Sequence, residues 1–169
     1  MARELARILG LPHTELDSII HQAGWTSLPE EEFRRQVSVL AAEQRWVLDG
    51  NYPDQVQPII WARADTVVWL DMPRRVVMRR VITRTLHRVL GRVELWNGNR
   101  EHWRQLLSWD KDENVVAWAW QMQGAQRDRY TAAMADPANG PLRFIRLRSP
   151  AAVRRFLRSV GSSLGGDQL

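Results

Sequence analysis

The segment Asp49-Gly50-Asn51-Tyr52 follows directly on the run Arg45-Trp46-Val47-Leu48. An acid at the end of a hydrophobic strand can hold Mg²⁺, directly or through water, and a following glycine lets a substrate approach the backbone. The same residues also read as an ordinary Asp-Gly turn that ends a strand. Asp17, in His13-Thr14-Glu15-Leu16-Asp17, can bind a substrate hydroxyl or accept its proton, or it can cap a helix. Arg80, Arg84 and Arg88 recur every fourth residue as a basic stripe on a helix, either a solvated face or an anion site. Arg92 and Arg100 lie just beyond, and guanidinium groups suit phosphoryl oxygens because they donate hydrogen bonds in pairs. His13, His21, His87 and His102 have no metal-ligand spacing, which argues against a zinc site. The absence of cysteine excludes disulfides, thiolate metal sites and a cysteine nucleophile. Trp96, Trp103, Trp109, Trp118 and Trp120 suit core or lid packing, with stacking on bases as the alternative.

These residues need elements to hold them. Met1, Leu5, Ile8 and Leu9 give a first helix over residues 1–9, stopped by Gly10 and Pro12 and lacking any cap at its start. Leu11–Leu16, Arg45–Leu48, Thr66–Leu70 and Leu142–Leu147 read as short strands. Ser27 and Glu30 form a capping-box pattern opening a helix to about Gln44, with Phe33, Val37, Leu40 and Ala41 on its apolar face. Further helices are expected near Asp54–Arg63, over Arg74–Leu90, over about Asn114–Met134, and from a Ser149-Pro150 cap to about Val160. Residues 92–112 read as irregular and 161–169 as a disordered tail. Short apolar strands alternating with helices indicate an α/β domain with a parallel sheet, in which functional residues gather at the carboxyl ends of strands. Asp17, Asp49 and Asp71 each stand just after such a strand.

The chain of 169 residues suffices for one well-buried domain. Its longest apolar run, Val115–Trp120, is too short to span a membrane, and the first residues lack a signal-peptide pattern, so a cytoplasmic protein is expected. Charge is uneven. Residues 1–72 carry 6 Arg against 11 acids, whereas residues 73–169 carry 17 Arg and one Lys against 8 acids. A basic half of this kind predicts an anionic partner, either nucleotide phosphates or a nucleic acid backbone.

Taken in order, the segments Leu9-Gly10-Leu11-Pro12-His13, Glu15-Leu16-Asp17, Gly24-Trp25-Thr26 and Trp46–Tyr52 resemble the adenylate-kinase-related P-loop kinases. So do Ala64–Pro73, Glu94–Glu101 and Arg146–Pro150. Among those kinases the sequence is most similar to the bacterial DNA topology modulation proteins, over residues 1 to about 160. The resemblance implies a three-layer α/β/α P-loop kinase-like domain with a parallel sheet, an Arg-rich helical lid over about 74–112, and ATP and Mg²⁺ as cofactors. It also implies a first strand and a phosphate loop ending in Gly-Lys-Ser/Thr, and no G-x-x-x-x-G-K-[ST] occurs here. The family order puts that strand between those ending at Asp49 and Asp71. Met1 falls where the residue after the loop belongs, so the resemblance implies a chain started at an internal Met.

By the same resemblance, Asp49 positions Mg²⁺ through water. Asp17, Gly50 and Asn51 face the phosphate acceptor, a nucleotide or small molecule. Arg84, Arg88, Arg92 and Arg100 belong to a lid that closes over phosphates, and Arg148, Ser149 and Pro150 border the adenine. Without the loop, ATP affinity and turnover should both collapse. Two other readings stand beside this one: an Arg-rich nucleic-acid-binding or DNA-topology-modulating protein without catalysis, and an inactive paralogue whose open sheet edge is covered by a partner protein.

Overall fold

A computed structural model describes residues 1–100 and 115–166 of the chain. It is a mixed α/β structure. The strands are β1 (His13–Glu15), β2 (Val47–Asp49), β3 (Thr66–Leu70) and β4 (Arg143–Leu147). The helices are α1 (Ala2–Leu9), α2 (Asp17–Ile20), α3 (Glu30–Ala42), α4 (Gln57–Trp61), α5 (Arg74–Leu90), α6 (Val115–Ala135) and α7 (Pro150–Gly166), with 3-10 turns at Ala23–Trp25, Trp96–Gly98 and Pro137–Asn139. No described helix is long and apolar enough to cross a membrane.

Several elements end where local chemistry requires it. Gly10 adopts φ 63°, and the amides of Gly10 and Leu11 turn back to the carbonyls of Arg7 and Ala6, closing α1 with the left-handed cap that glycine allows. Met1 provides no side-chain cap at the other end. The Ser149 hydroxyl accepts from the Ala152 amide at 3.1 Å, so Ser149 caps α7 and Pro150 takes its first position.

The expected capping box at Ser27 does not form. α3 begins at Glu30 behind Pro29, with no side-chain cap bond and three glutamates in its first turn against the helix dipole. Ser27 is drawn instead into extended pairing with His21, flanked by hydrogen bonds from Gln22 to Thr26 and from Leu28 to Ile20. Nor is the segment after Val160 irregular throughout: α7 continues to Gly166, and residues 167–169 lie outside the described chain. β1 and β2 are shorter than their apolar runs, and α4 occupies only the middle of residues 54–63.

One core lies under α3, where Phe33, Val37 and Ala41 recur every fourth residue and are buried. Phe33 and Val37 meet Leu16, Ile20 and Val56 there, and Tyr52 packs edge-on to Phe33 at 5.2 Å. A second packing surface joins α1 to α7, and a third joins α5 to α6.

The sheet is not continuous. β1 pairs with β2 and β3 with β4, each in parallel, and the two pairs are separate. A cleft of about 790 Å³ is lined by residues of both β2 and β3, among them 45–50 and 63–68. Its remaining walls include Leu5 and Leu9 of α1, Phe156 and Val160 of α7, and Val56, Ile60, Trp61 and Tyr130.

Candidate functional site at the carboxyl ends of the strands

Register places Glu15 beside Asp49 at the ends of β1 and β2, and Asp17 follows one residue beyond Leu16. Leu16 is buried, which fixes the two acids on either side of it. Asp49 stands more than half exposed at the cleft wall, 3.9 Å from the Nε2 atom of His13. Its pKa is raised: desolvation by the surrounding protein is the main cause, opposed by His13 and the amino terminus and reinforced by the charges of Glu15 and Asp17. Tyr52 donates its hydroxyl to Asp17 Oδ1 at 2.6 Å, and burial together with that carboxylate pushes the phenol well above its ordinary range. Asp17 is therefore engaged by the protein rather than open on every side.

Gly50 has a packing reason as well. A Cβ there would lie 2.7 Å from the Cβ of Leu16, so the residue must be glycine for this turn to sit on the core. Gly50 also lines the cleft.

Asn51 meets α6. Its Oδ1 accepts from Arg129 Nη2 at 3.0 Å and lies 3.5 Å from the Tyr130 hydroxyl. Two residues earlier on the same helix, Arg127 grips Asp71, just past β3, through Nε at 2.8 Å and Nη2 at 2.7 Å. The other Asp71 oxygen accepts from Arg146 Nε at 2.9 Å and Nη2 at 2.6 Å, with Arg148 Nε 3.7 Å away. One buried carboxylate thus gathers three arginines and leaves a local charge of about +2. Burial alone would raise the Asp71 pKa; hydrogen bonds from Arg146 and Arg127 and their charges outweigh it and hold the group below its ordinary value. Arg146 also lies 4.4 Å over the Trp69 ring, which stacks on Tyr130 at 5.2 Å. One helix, α6, thus touches both Asn51 and Asp71, the residues just past β2 and β3.

The segment that holds the arginines expected in a lid packs on the chain after β1. The turn Trp96–Gly98 and Asn99 clamp the segment from Ser18 to Trp25. The Asn97 amide donates to the His21 carbonyl at 2.6 Å, while buried Asn99 donates to the Gln22 carbonyl and accepts from the Trp25 amide. Trp25 Nε1 reaches the Arg100 carbonyl at 3.1 Å, and Trp96 Nε1 reaches Glu15 Oε2 at 2.8 Å. Arg88 lies 5.9 Å over the Trp96 ring, Arg100 pairs with Glu94 at 3.3 Å, Arg92 has a left-handed φ of 46°, and Arg84 is exposed on α5. Arg88 and Arg100 thus both border the turn that clamps the chain after β1. Residues 101–112 of the expected lid, with Trp103 and Trp109, lie outside the described residues.

Of the expected adenine border, Arg148 belongs to the Asp71 cluster while Ser149 and Pro150 start α7. Sequence reasoning missed Arg127, Arg129, Tyr130 and Arg146. One signal for them exists: Arg146 and Arg148 alternate at the end of a strand and so share a face. Among the described residues no group of three or more His, Asp or Glu side chains could hold a metal ion. Compared with protein-family models, with curated proteins and with solved structures, the chain matches none.

Proposed function

We propose that this chain is the body of a P-loop kinase-like phosphotransferase, acting between a nucleotide and a small phosphate acceptor, whose phosphate loop is not among these 169 residues. The observation that carries the reading is that α6 sets Arg129 on Asn51 and Arg127 on Asp71, just past β2 and β3, with Arg146 and Arg148 at the same Asp71 carboxylate and with Asp49 and Asp17 at and just past the ends of β2 and β1; ligands of open α/β sheets bind at the carboxyl ends of strands. Mg²⁺ uses one or two carboxylates and keeps several waters, so the single Asp49 carboxylate at the cleft wall suits it, held through water. When bound beside ATP, such an ion neutralises phosphate charge. Asp17 and Asn51 would orient the acceptor, and the arginines would draw the anion to these strand ends.

The test is Mg²⁺-dependent ATP binding by calorimetry. The chain extended ahead of Met1 by a strand and a Gly-rich loop ending in Gly-Lys-Ser should bind, and the 169-residue chain should not. An extended chain that folds and ignores ATP would refute the reading.

A second reading rests on α5. It holds six arginines and no acid, and Arg74, Arg75, Arg79, Arg80 and Arg84 are exposed. That face suits a nucleic acid backbone, and it requires DNA affinity that falls steeply with salt. Affinity indifferent to salt would exclude it.

A further inference from the structure

One side of α5 mixes arginine with exposed aliphatic residues. Arg75, Arg79, Ile82, Leu86 and Leu90 recur at helical spacing, and at 3.6 residues per turn they fall within an arc of about 80° and a length of about 22 Å. All five are exposed, and Leu90 is 81% so. Thr85, the buried residue of α5, lies about 100° round the helix from the middle of this stripe, and α6 packs against α5. At the amino end of the helix Arg74 lies 4.5 Å over the ring of Trp120, which is itself exposed.

Each component of the stripe narrows the partner. α5 carries no acid, and among the described residues no carboxylate pairs with Arg75, Arg79 or Arg80, so the complementary surface is anionic. That surface must also take Ile82, Leu86 and Leu90. A phosphodiester backbone is polar throughout and leaves these three side chains in water. A protein helix laid along the stripe would strip water from Arg75 and Arg79, which costs free energy unless each guanidinium is paired closely. An anionic bilayer meets both demands at once. Its headgroup phosphates hold the guanidinium groups in a hydrated layer, while the aliphatic side chains enter the acyl boundary a few ångströms below, and the long arginine stems bridge the two depths. Tryptophan, with an apolar body and one N–H, prefers the same boundary, and Trp120 stands beside Arg74 at the end of the stripe.

We propose that this side of α5 is a docking surface for an anionic lipid bilayer, on which the helix lies flat with Ile82, Leu86 and Leu90 inserted and Arg75 and Arg79 at headgroup phosphates. The attachment is peripheral, by one face of one helix. It competes with nucleic acid for α5, and it stands apart from the phosphotransfer reading because neither ATP nor Mg²⁺ enters it.

The experiment is co-sedimentation of the 169-residue chain with vesicles made of equal parts phosphatidylserine and phosphatidylcholine. Partitioning should be at least about tenfold stronger than onto phosphatidylcholine alone. Replacing Arg75 and Arg79 together by Gln should weaken it about tenfold or more, and replacing Leu86 and Leu90 together by Gln about tenfold. All four side chains are exposed, and an unchanged circular dichroism spectrum shows that each variant is folded. Anionic vesicles left unbound by the parent chain, or neutral vesicles bound equally well, overturn the proposal without any variant. A leucine pair that binds as the parent does also overturns it, since adsorption by charge alone needs no leucine. A chain that leaves the vesicles and binds duplex DNA, through the arginine pair and not the leucine pair, assigns α5 to nucleic acid instead.

Discussion

Replacing Asp71 by Asn removes the one negative charge at the centre of an arginine cluster while keeping its size. The carboxylate is 3% exposed, and Arg127 and Arg146 each place two nitrogens on it. Breaking a buried ion pair from one side costs about 3–5 kcal/mol, because the other charge is left without its partner. The guanidinium of Arg127 is 44% exposed and that of Arg146 30%, so water recovers part of that loss. About 2–3 kcal/mol should remain, lowering the melting temperature by roughly 4–12 °C in a chain of this size.

The pH dependence is distinctive. Asp71 has a depressed pKa in the folded state, so its contribution is fully present above the unfolded value of about 3.9 and is lost as pH falls through the folded one. Urea titrations of the native chain and Asp71→Asn should therefore differ by a constant amount from pH 7 to pH 5 and converge as pH drops below about 4. A difference smaller than about 0.5 kcal/mol at pH 7 would show that the cluster is a surface arrangement without energetic weight. A difference that persists unchanged to pH 3 would show that the loss is one of packing and not of charge.

Other outcomes follow from the same contacts. Gly50→Ala drives a methyl into Leu16 and should cost about 1–3 kcal/mol in chemical denaturation; an unchanged stability would refute the packing reason given for this glycine. Asn99→Ala leaves the Trp25 amide and the Gln22 carbonyl without partners, at about 1–3 kcal/mol, and should speed amide exchange across residues 22–25 while leaving β3 unchanged. Phe33→Ala removes the largest fully buried side chain under α3 and should destabilise by about 3–5 kcal/mol; a loss below about 1 kcal/mol would place the core elsewhere.

What could be read in the sequence was mostly local. The run Thr66–Leu70 became β3 and Arg74–Leu90 became α5 because an uninterrupted apolar run and a proline-led helix carry their own boundaries. Gly10 and Ser149 ended and began helices through bonds to residues within four positions. The failure at Ser27 is of another kind: local capping lost to pairing with His21, which no reading of residues 27–30 contains. The site was hidden for the same reason. Asp71 meets Arg127 and Arg146, 56 and 75 residues away, and Asn51 meets Arg129, 78 residues away. Val115–Ala135 scatters its apolar residues around the helix, so periodicity could not tell which arginines face inward. The stripe on α5 was legible, but its regular spacing said nothing about which neighbour it would meet.

The division of the sheet also bears on how the molecule melts. With no ladder hydrogen bond joining β2 to β3 among the described residues, contacts such as those of α6 on Asn51 and Asp71, α1 on α7, and the Trp96–Asn99 clamp on residues 18–25 couple the two strand pairs. Side-chain contacts yield one at a time, whereas a shared ladder gives way as a unit. The 169-residue chain should therefore unfold in stages, with a calorimetric enthalpy larger than the van't Hoff value, and a single sharp transition should require the two pairs to be joined.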